Sequence, residues 1–188
     1  MSSSALTLQE RIDRLGVPTA EVIEDVDSYL KVRPELSAED AHQNLQTDYR
    51  KYRMIVGELT NQKEKIAESL PNFNQCKAII EVMKKKKEAG KTLTTQYKLA
   101  DEIYQTATVE DLDSVILYMG AYVMVEYPLD EAETFMNKNI TEVTKRLTDL
   151  DEELEFVANQ VTTTEVSMAH FINHIVLKNK GKQPVAAQ

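Results

Sequence analysis

From Met136 to Ile175 the apolar residues fall into two columns, each with a seven-residue period. Met136, Val143, Leu150, Val157, Thr164 and Phe171 make one column; Ile140, Leu147, Leu154, Val161, Met168 and Ile175 make the other. Thr164 is the one polar member. A 4-3 alternation sustained over about six heptads specifies a coiled-coil helix rather than a short globular one. The spacing predicts a helix over 129–178, opened by Asp130 with Glu133 three residues on as a capping-box partner. At about 1.5 Å per residue such a helix is about 70 Å long. It cannot cover its own seam, so its partner must be another helix.

The same chain supplies one. Ser37 is placed as an N-cap, with Glu39 and Asp40 in the first turn where negative charge suits the helix dipole. A second ladder follows over 37–91: Leu45, Tyr52, Leu59, Ile66, Phe73 and Ile80. Its companion column wanders between two positions and includes Cys76, expected there as a small buried hydrophobe. Pro71 removes a backbone hydrogen bond and predicts a kink. Residues 38–91 carry 11 basic and 8 acidic groups, net +3, and residues 129–178 carry 4 and 10, net −6. Opposite bias favours laying the two helices side by side.

The connection, 92–128, is far longer than a helix–helix turn requires. Alternating apolar residues around Tyr97 and Leu99, Ile103 to Val109, Val115 to Met119 and Ala121 to Tyr127 predict four short strands. Turns at Asp101-Glu102 and Gly120-Ala121 pair them as two β-hairpins, joined by the acidic loop 110–113. Four strands from one chain leave open edges, which invite pairing with other chains. The fold class is therefore mainly α with a small β platform (α+β): a long antiparallel two-helix coiled-coil hairpin with two β-hairpins at the connecting end. Residues 1–36, broken by Pro18 and Pro34, read as an N-terminal extension that is flexible in isolation, with a short amphipathic piece around Val22, Val26 and Tyr29; residues 37–178 read as one domain, and residues 179–188 as a disordered tail.

Little in the chain is written for catalysis. Gly90-Lys91-Thr92 resembles the end of a phosphate-binding loop, but the required glycine five residues earlier is Lys85. His170 and His174, four apart, lack a third metal ligand. The acidic run 149–155 reads as the solvated flank of the coil, and Lys84 to Lys87 as a solvated face that could also meet an acidic partner. No catalytic residue, metal site or cofactor is expected. A net charge of −9 disfavours nucleic acid. One cysteine fits a reducing compartment. The N-terminus lacks the basic start and apolar core of a signal peptide, and no run reaches the roughly 18 apolar residues of a membrane span. A cytoplasmic protein without membrane contact is expected, with the Asn139-Ile140-Thr141 sequon unused.

The far end of the coil is expected to bring Ala41, Leu45, Tyr49 and Tyr52 opposite Met168, Phe171 and Ile175. Polar His42, Thr164 and Asn173 nearby suit a frayed seam offering an adaptable apolar surface; plain seam packing is the other reading.

Long helix, two hairpins, long helix is also an arrangement with a family likeness. GVPTAEVIEDVDSYL (16–30), QTDYRKYRMIVGEL (46–59), LADEIYQTATV (99–109), MGAYVMVEYPLDEA (119–132) and VTTTEVSMA (161–169) resemble the alpha-type subunits of the prefoldin family. The resemblance covers most of 15–178. It implies a cytosolic hetero-hexamer of two alpha-type and four beta-type subunits that acts without ATP. Such a complex captures unfolded or nascent proteins, chiefly actin and tubulin, at its coil tips and delivers them to the cytosolic group II chaperonin. By position, Leu45, Tyr49, Tyr52, Val161, Met168, Phe171 and Ile175 become client-contact candidates. Leu99, Ile103, Val115, Leu117, Met119, Val123 and Val125 become assembly candidates. A coiled-coil scaffold or adaptor without client binding is the alternative, although such a scaffold has no use for two hairpins.

Overall fold

A computed structural model of the chain describes residues 7–180. The elements run α1 (Leu8–Leu15), α2 (Val26–Lys31), α3 (Ala38–Ala67), α4 (Ser69–Glu88), β1 (Leu93–Ala100), β2 (Ile103–Val109), β3 (Ser114–Gly120), β4 (Val123–Pro128) and α5 (Leu129–Lys180). The described residues divide into two compact units. One comprises residues up to 64 with those from 148 onward; the other comprises 65–147.

In the first unit α3 and the later part of α5 run antiparallel, because Ala41 clusters with Phe171 while Lys63 pairs with Asp151. Ser37 caps α3: its hydroxyl accepts from the Asp40 amide at 3.0 Å, and its carbonyl accepts from Ala41 at 2.9 Å. Ala38 and Ala41 leave room for the Phe171 ring, which has no exposed surface. Residues 7–36, expected as a flexible extension, instead form two short helices and a connector that pack here. Thr7 and Glu10 close a capping box on α1, and Gly16 ends it in the left-handed region at φ 63°. Asp25 caps α2, which sets Val26 and Tyr29 against Phe171. The last expectation, the tail 179–188, falls outside the described residues from 181 on.

The predicted kink becomes a break between α3 and α4. Pro71 lies in the first turn of α4. Its missing N–H forfeits the bond to the Ala67 carbonyl and its ring crowds that group, so α3 stops there. The Ser69 hydroxyl donates to the Ile66 carbonyl at 2.6 Å across the break.

The second unit holds α4, both hairpins and the start of α5. Ile80, Met83, Leu112, Leu129, Ala132 and Met136 form its core, with Phe73, Leu93, Val109, Val115, Leu117, Tyr127 and Phe135 around them. The acidic loop contributes Leu112, turned inward by an Asx bond from the Asp113 amide to Asp111 at 2.9 Å. Cys76, expected in the seam, is exposed; burial on α4 falls on Ile80 and Met83. The lysine run is not simply solvated: Lys84 reaches Asp130 and Glu133, and Lys87 reaches Asp113 at 2.8 Å. α5 starts at Leu129, so Asp130, expected as the cap, lies inside the first turn and holds Lys84.

β1 pairs with β2 and β3 with β4, both antiparallel, as separate two-stranded sheets. The first turn falls on Asp101-Glu102 as predicted. The second falls on Ala121-Tyr122, one residue beyond the expected Gly120-Ala121, because a register shift between Tyr118 and Gly120 moves the closing pair to Gly120–Val123. Both turn residues then sit at positive φ, 46° and 62°, where a side chain costs roughly 1–2 kcal/mol per residue.

Two outcomes test these contacts. Ala121→Asn with Tyr122→Gly, the residues such a turn favours, should slow amide exchange at Tyr118 and Val123 and stabilise the hairpin by about 1 kcal/mol. Hydrogen bonding and the charge of Lys84 hold the Asp130 carboxyl below its ordinary 3.8, and the Lys84 ammonium is raised in turn. A carboxyl depressed by folding stabilises above its unfolded value and loses that contribution as pH falls through its folded one. Lys84→Met should therefore lower the urea midpoint by a constant amount between pH 9 and 5. The gap should close as pH falls below 3.8.

Candidate functional site

All seven client-contact candidates lie in the first unit. Phe171, Val161 and Tyr52 are buried; Leu45, Tyr49, Met168 and Ile175 are half-buried. Residues 17–36 account for much of that cover. Tyr29 stands edge-on to Phe171 with centroids 5.7 Å apart, and the Arg33 guanidinium stacks 4.2 Å above Tyr29. Truncating a buried phenylalanine costs about 3–5 kcal/mol, so Phe171 first holds this end of the unit together. The Tyr49 hydroxyl is bound by Glu165, which pushes its pKa up; burial does the same for Tyr52.

A third column on α5 escapes the hydrophobic pattern. Glu153, Gln160, Ser167 and His174 are spaced by seven, as regular as the seam beside them. Each meets the N-terminal segment. Glu153 pairs with Arg11 at 3.0 Å, and Arg11 also reaches Asp149 at 3.2 Å and Glu152. The Gln160 side-chain oxygen Oε1 accepts from the Ala20 amide at 2.7 Å. The Ser167 hydroxyl accepts from the Ile23 amide at 3.1 Å and lies 3.2 Å from the Glu21 carbonyl. His174 lies 3.8 Å from Asp27. Glu153, expected on a solvated flank, is only 3% exposed. A polar heptad was readable in the sequence, but polar side chains at regular spacing ordinarily face water.

The assembly candidates lie on the hairpins. Leu99, Ile103, Met119 and Val123 are exposed, while Val115, Leu117 and Val125 are half-buried, the first two against the core. Sequence reasoning missed the opposite face of the second hairpin. Ile116, Tyr118 and Met124 are all more than half exposed there, and Tyr122 at the turn is 96% exposed. Tyr97 and Tyr104 are exposed on the first hairpin. The signal was present: Val115 to Tyr118 has no polar residue, so neither face of the strand can be polar. Exposed apolar faces and unpaired strand edges mark an interaction surface.

Among the described residues no group of three His, Cys, Asp or Glu is placed to hold a metal. Gly90 of the Gly-Lys-Thr string ends α4 at φ 61°, its amide bonded to Lys87 and that of Lys91 to Lys86, which is a Schellman turn rather than a phosphate cradle. No described helix is long and apolar enough to cross a membrane.

Comparison with known proteins agrees with this architecture. The prefoldin subunit family matches residues 52–174. The chain belongs to the prefoldin family. Prefoldin subunit 3 of Mus musculus and that of Homo sapiens are each 39% identical to it over 159 residues, covering 85% of this chain and 81% of theirs. Probable prefoldin subunit 3 of Caenorhabditis elegans is 37% identical over 180 residues, 96% of this chain and 95% of its own. The prefoldin match begins at Tyr52 and so takes in both hairpins and most of α5, but not α1, α2 or the connector between them.

Arg11 anchors that segment to three carboxylates in this prefoldin chain. Removing it takes a counter-charge from a carboxylate that is almost fully buried. Arg11→Ala should destabilise the docked segment by about 3 kcal/mol. Amide exchange should accelerate across residues 8–31 while the hairpin amides of 93–128 are unaffected.

Proposed function

We propose that this prefoldin chain is one subunit of an ATP-independent cytoplasmic hetero-hexamer of alpha-type and beta-type subunits. The complex captures unfolded or nascent proteins, actin and tubulin among them, near the coil tips, and delivers them to the cytosolic group II chaperonin. The observation that carries the reading is the pair of hairpins. Their apolar side chains and four open strand edges are exposed in the isolated chain, a liability that partner strands would cover. Membership of the prefoldin family supports what those partners are. Leu99, Ile103, Met119 and Val123 are free to be buried on assembly; Val115, Leu117 and Val125 would support them from the core side.

Client capture at the other unit needs no chemistry beyond weak apolar contact repeated at several points. Tethered sites raise avidity by roughly 10²–10⁴ without new contact types. The half-buried Leu45, Tyr49, Met168 and Ile175 are the client-facing residues in this proposal, with Tyr52, Val161 and Phe171 behind them. No step requires a catalytic group or a cofactor.

Native mass spectrometry of the chain co-expressed with beta-type partners should give a hetero-hexamer. Leu99→Glu with Ile103→Glu, both exposed in the chain itself, should leave its helicity intact and abolish that species. A stable homodimer of the chain alone, unaffected by the substitutions, would favour a structural scaffold instead. The assembled complex should suppress aggregation of unfolded actin without added ATP.

A further inference from the structure

We propose that the groove now filled by residues 17–25 is a binding site for an extended polypeptide segment, read through its backbone, and that the chain's own N-terminal segment is the resident competitor. This rests on the reading of the chain as a chaperone subunit and says how a client would be held.

The contacts across this groove are unusual in what they touch. The Tyr52 hydroxyl donates to the Pro18 carbonyl at 3.0 Å. Gln160 accepts from the Ala20 amide, and Ser167 accepts from the Ile23 amide while its single proton is shared between the Thr163 carbonyl at 3.0 Å and the Glu21 carbonyl at 3.2 Å. Every one of these partners on the segment is main chain. The three side chains that read them are themselves buried, Ser167 completely. The donor atoms of Gln160 and Ser167 also bond within α5, to the Phe156 and Thr163 carbonyls, so what the groove offers an incoming chain is two acceptors for backbone amides and the Tyr52 hydroxyl for a carbonyl.

The spacing explains why any extended chain fits. Seven residues of α5, from Gln160 to Ser167, rise about 10.5 Å. Three residues of extended chain, from Ala20 to Ile23, span about 10 Å. Two rungs of the polar column therefore match two amides three residues apart, with the segment running parallel to α5. That match is a property of backbone geometry and not of the sequence Ala-Glu-Val-Ile. Specificity for apolar clients comes from the side chains at Ile23 and Val26, which pack in the cluster around Phe171.

The resident segment fills the groove imperfectly. A cavity of about 470 Å³ remains between residues 18–25 and the facing Leu45, Asp48, Tyr52 and Thr164. Beyond those four main-chain contacts the segment is fastened only at its flanks, by the Arg11 carboxylate cluster and by Val26 and Tyr29 against Phe171. An element pinned at two ends over a loosely filled groove can be displaced while the helices beneath stay in place.

The test uses the full chain and a fluorescein-labelled peptide of residues 16–31. Ala20→Pro with Ile23→Pro removes the two amides from the resident segment without touching the groove. This chain should bind the peptide at least about tenfold more tightly than the unsubstituted one, because the site is no longer occupied. Arg11→Ala, which frees the segment from its other end, should act in the same direction. The same peptide N-methylated at the positions of Ala20 and Ile23 should bind at least about tenfold more weakly, and Ser167→Ala in the opened chain should weaken the unmethylated peptide. Equal affinity of the opened and unsubstituted chains, or of the methylated and unmethylated peptides, would overturn the proposal. In reconstituted hexamers the opened chain should hold unfolded actin at lower concentration than the parent. If neither hexamer holds actin the proposed function falls, and the peptide comparison still decides the groove.

Discussion

The side chains of α5 repeat every seven residues, and the packing of both units is organised by that repeat. Leu150, Val157, Thr164 and Phe171 are buried in one unit and Ala132 and Met136 in the other, all from one uninterrupted helix of 52 residues. A helix of that length in water is stabilised mainly by what covers its apolar stripe rather than by intrinsic propensity. α3, α4, the hairpins and the N-terminal segment each cover part of it. Where the stripe is widest, as at 153–174, it carries three columns and takes two different partners.

Those two partners are recognised by different physics. The apolar columns meet α3, where Ala38, Ala41 and Leu45 cluster with Phe171 and Ile175. The polar column meets a segment that is not helical and is held by its main chain. Arg11 closes one end of this arrangement with a cluster of carboxylates, and Phe171 closes the other with an aromatic pair and two alanines. The charge asymmetry between the two long helical regions therefore has a local counterpart: one arginine from the N-terminal segment is drawn into the acidic stretch 149–153.

Most of the fold was legible because regular elements write their period into the sequence. The heptads of α5, the cap at Ser37, the interruption at Pro71 and the four strands follow from spacing and from two or three residue types with fixed backbone demands. The second hairpin turn was misplaced by one residue because Gly120 attracts the assignment, while the register shift at Tyr118 moves the turn onto Ala121-Tyr122. Of the docking of residues 7–36, only the amphipathic piece that became α2, with Val26 and Tyr29, was legible. Its central contacts use amides and carbonyls, which every residue carries, and its partners on α5 are polar residues that ordinarily signal solvent. Client-contact candidates chosen by position along the helices all fall in the first unit, but sequence could not show that three of them are buried.

The coincidence of columns on α5 has a genetic consequence. One residue inserted between Glu153 and Ser167 would rotate everything beyond it by about 100°. The apolar seam and the polar column would then lose register in the same event, and no local loop exists within the helix to absorb the change. Substitutions in this stretch can be judged one side chain at a time; insertions and deletions cannot. Length variation among related chains should therefore collect in the turns at 101–102 and 121–122 and in the loop 110–113, and within 153–174 it should appear only in steps of seven.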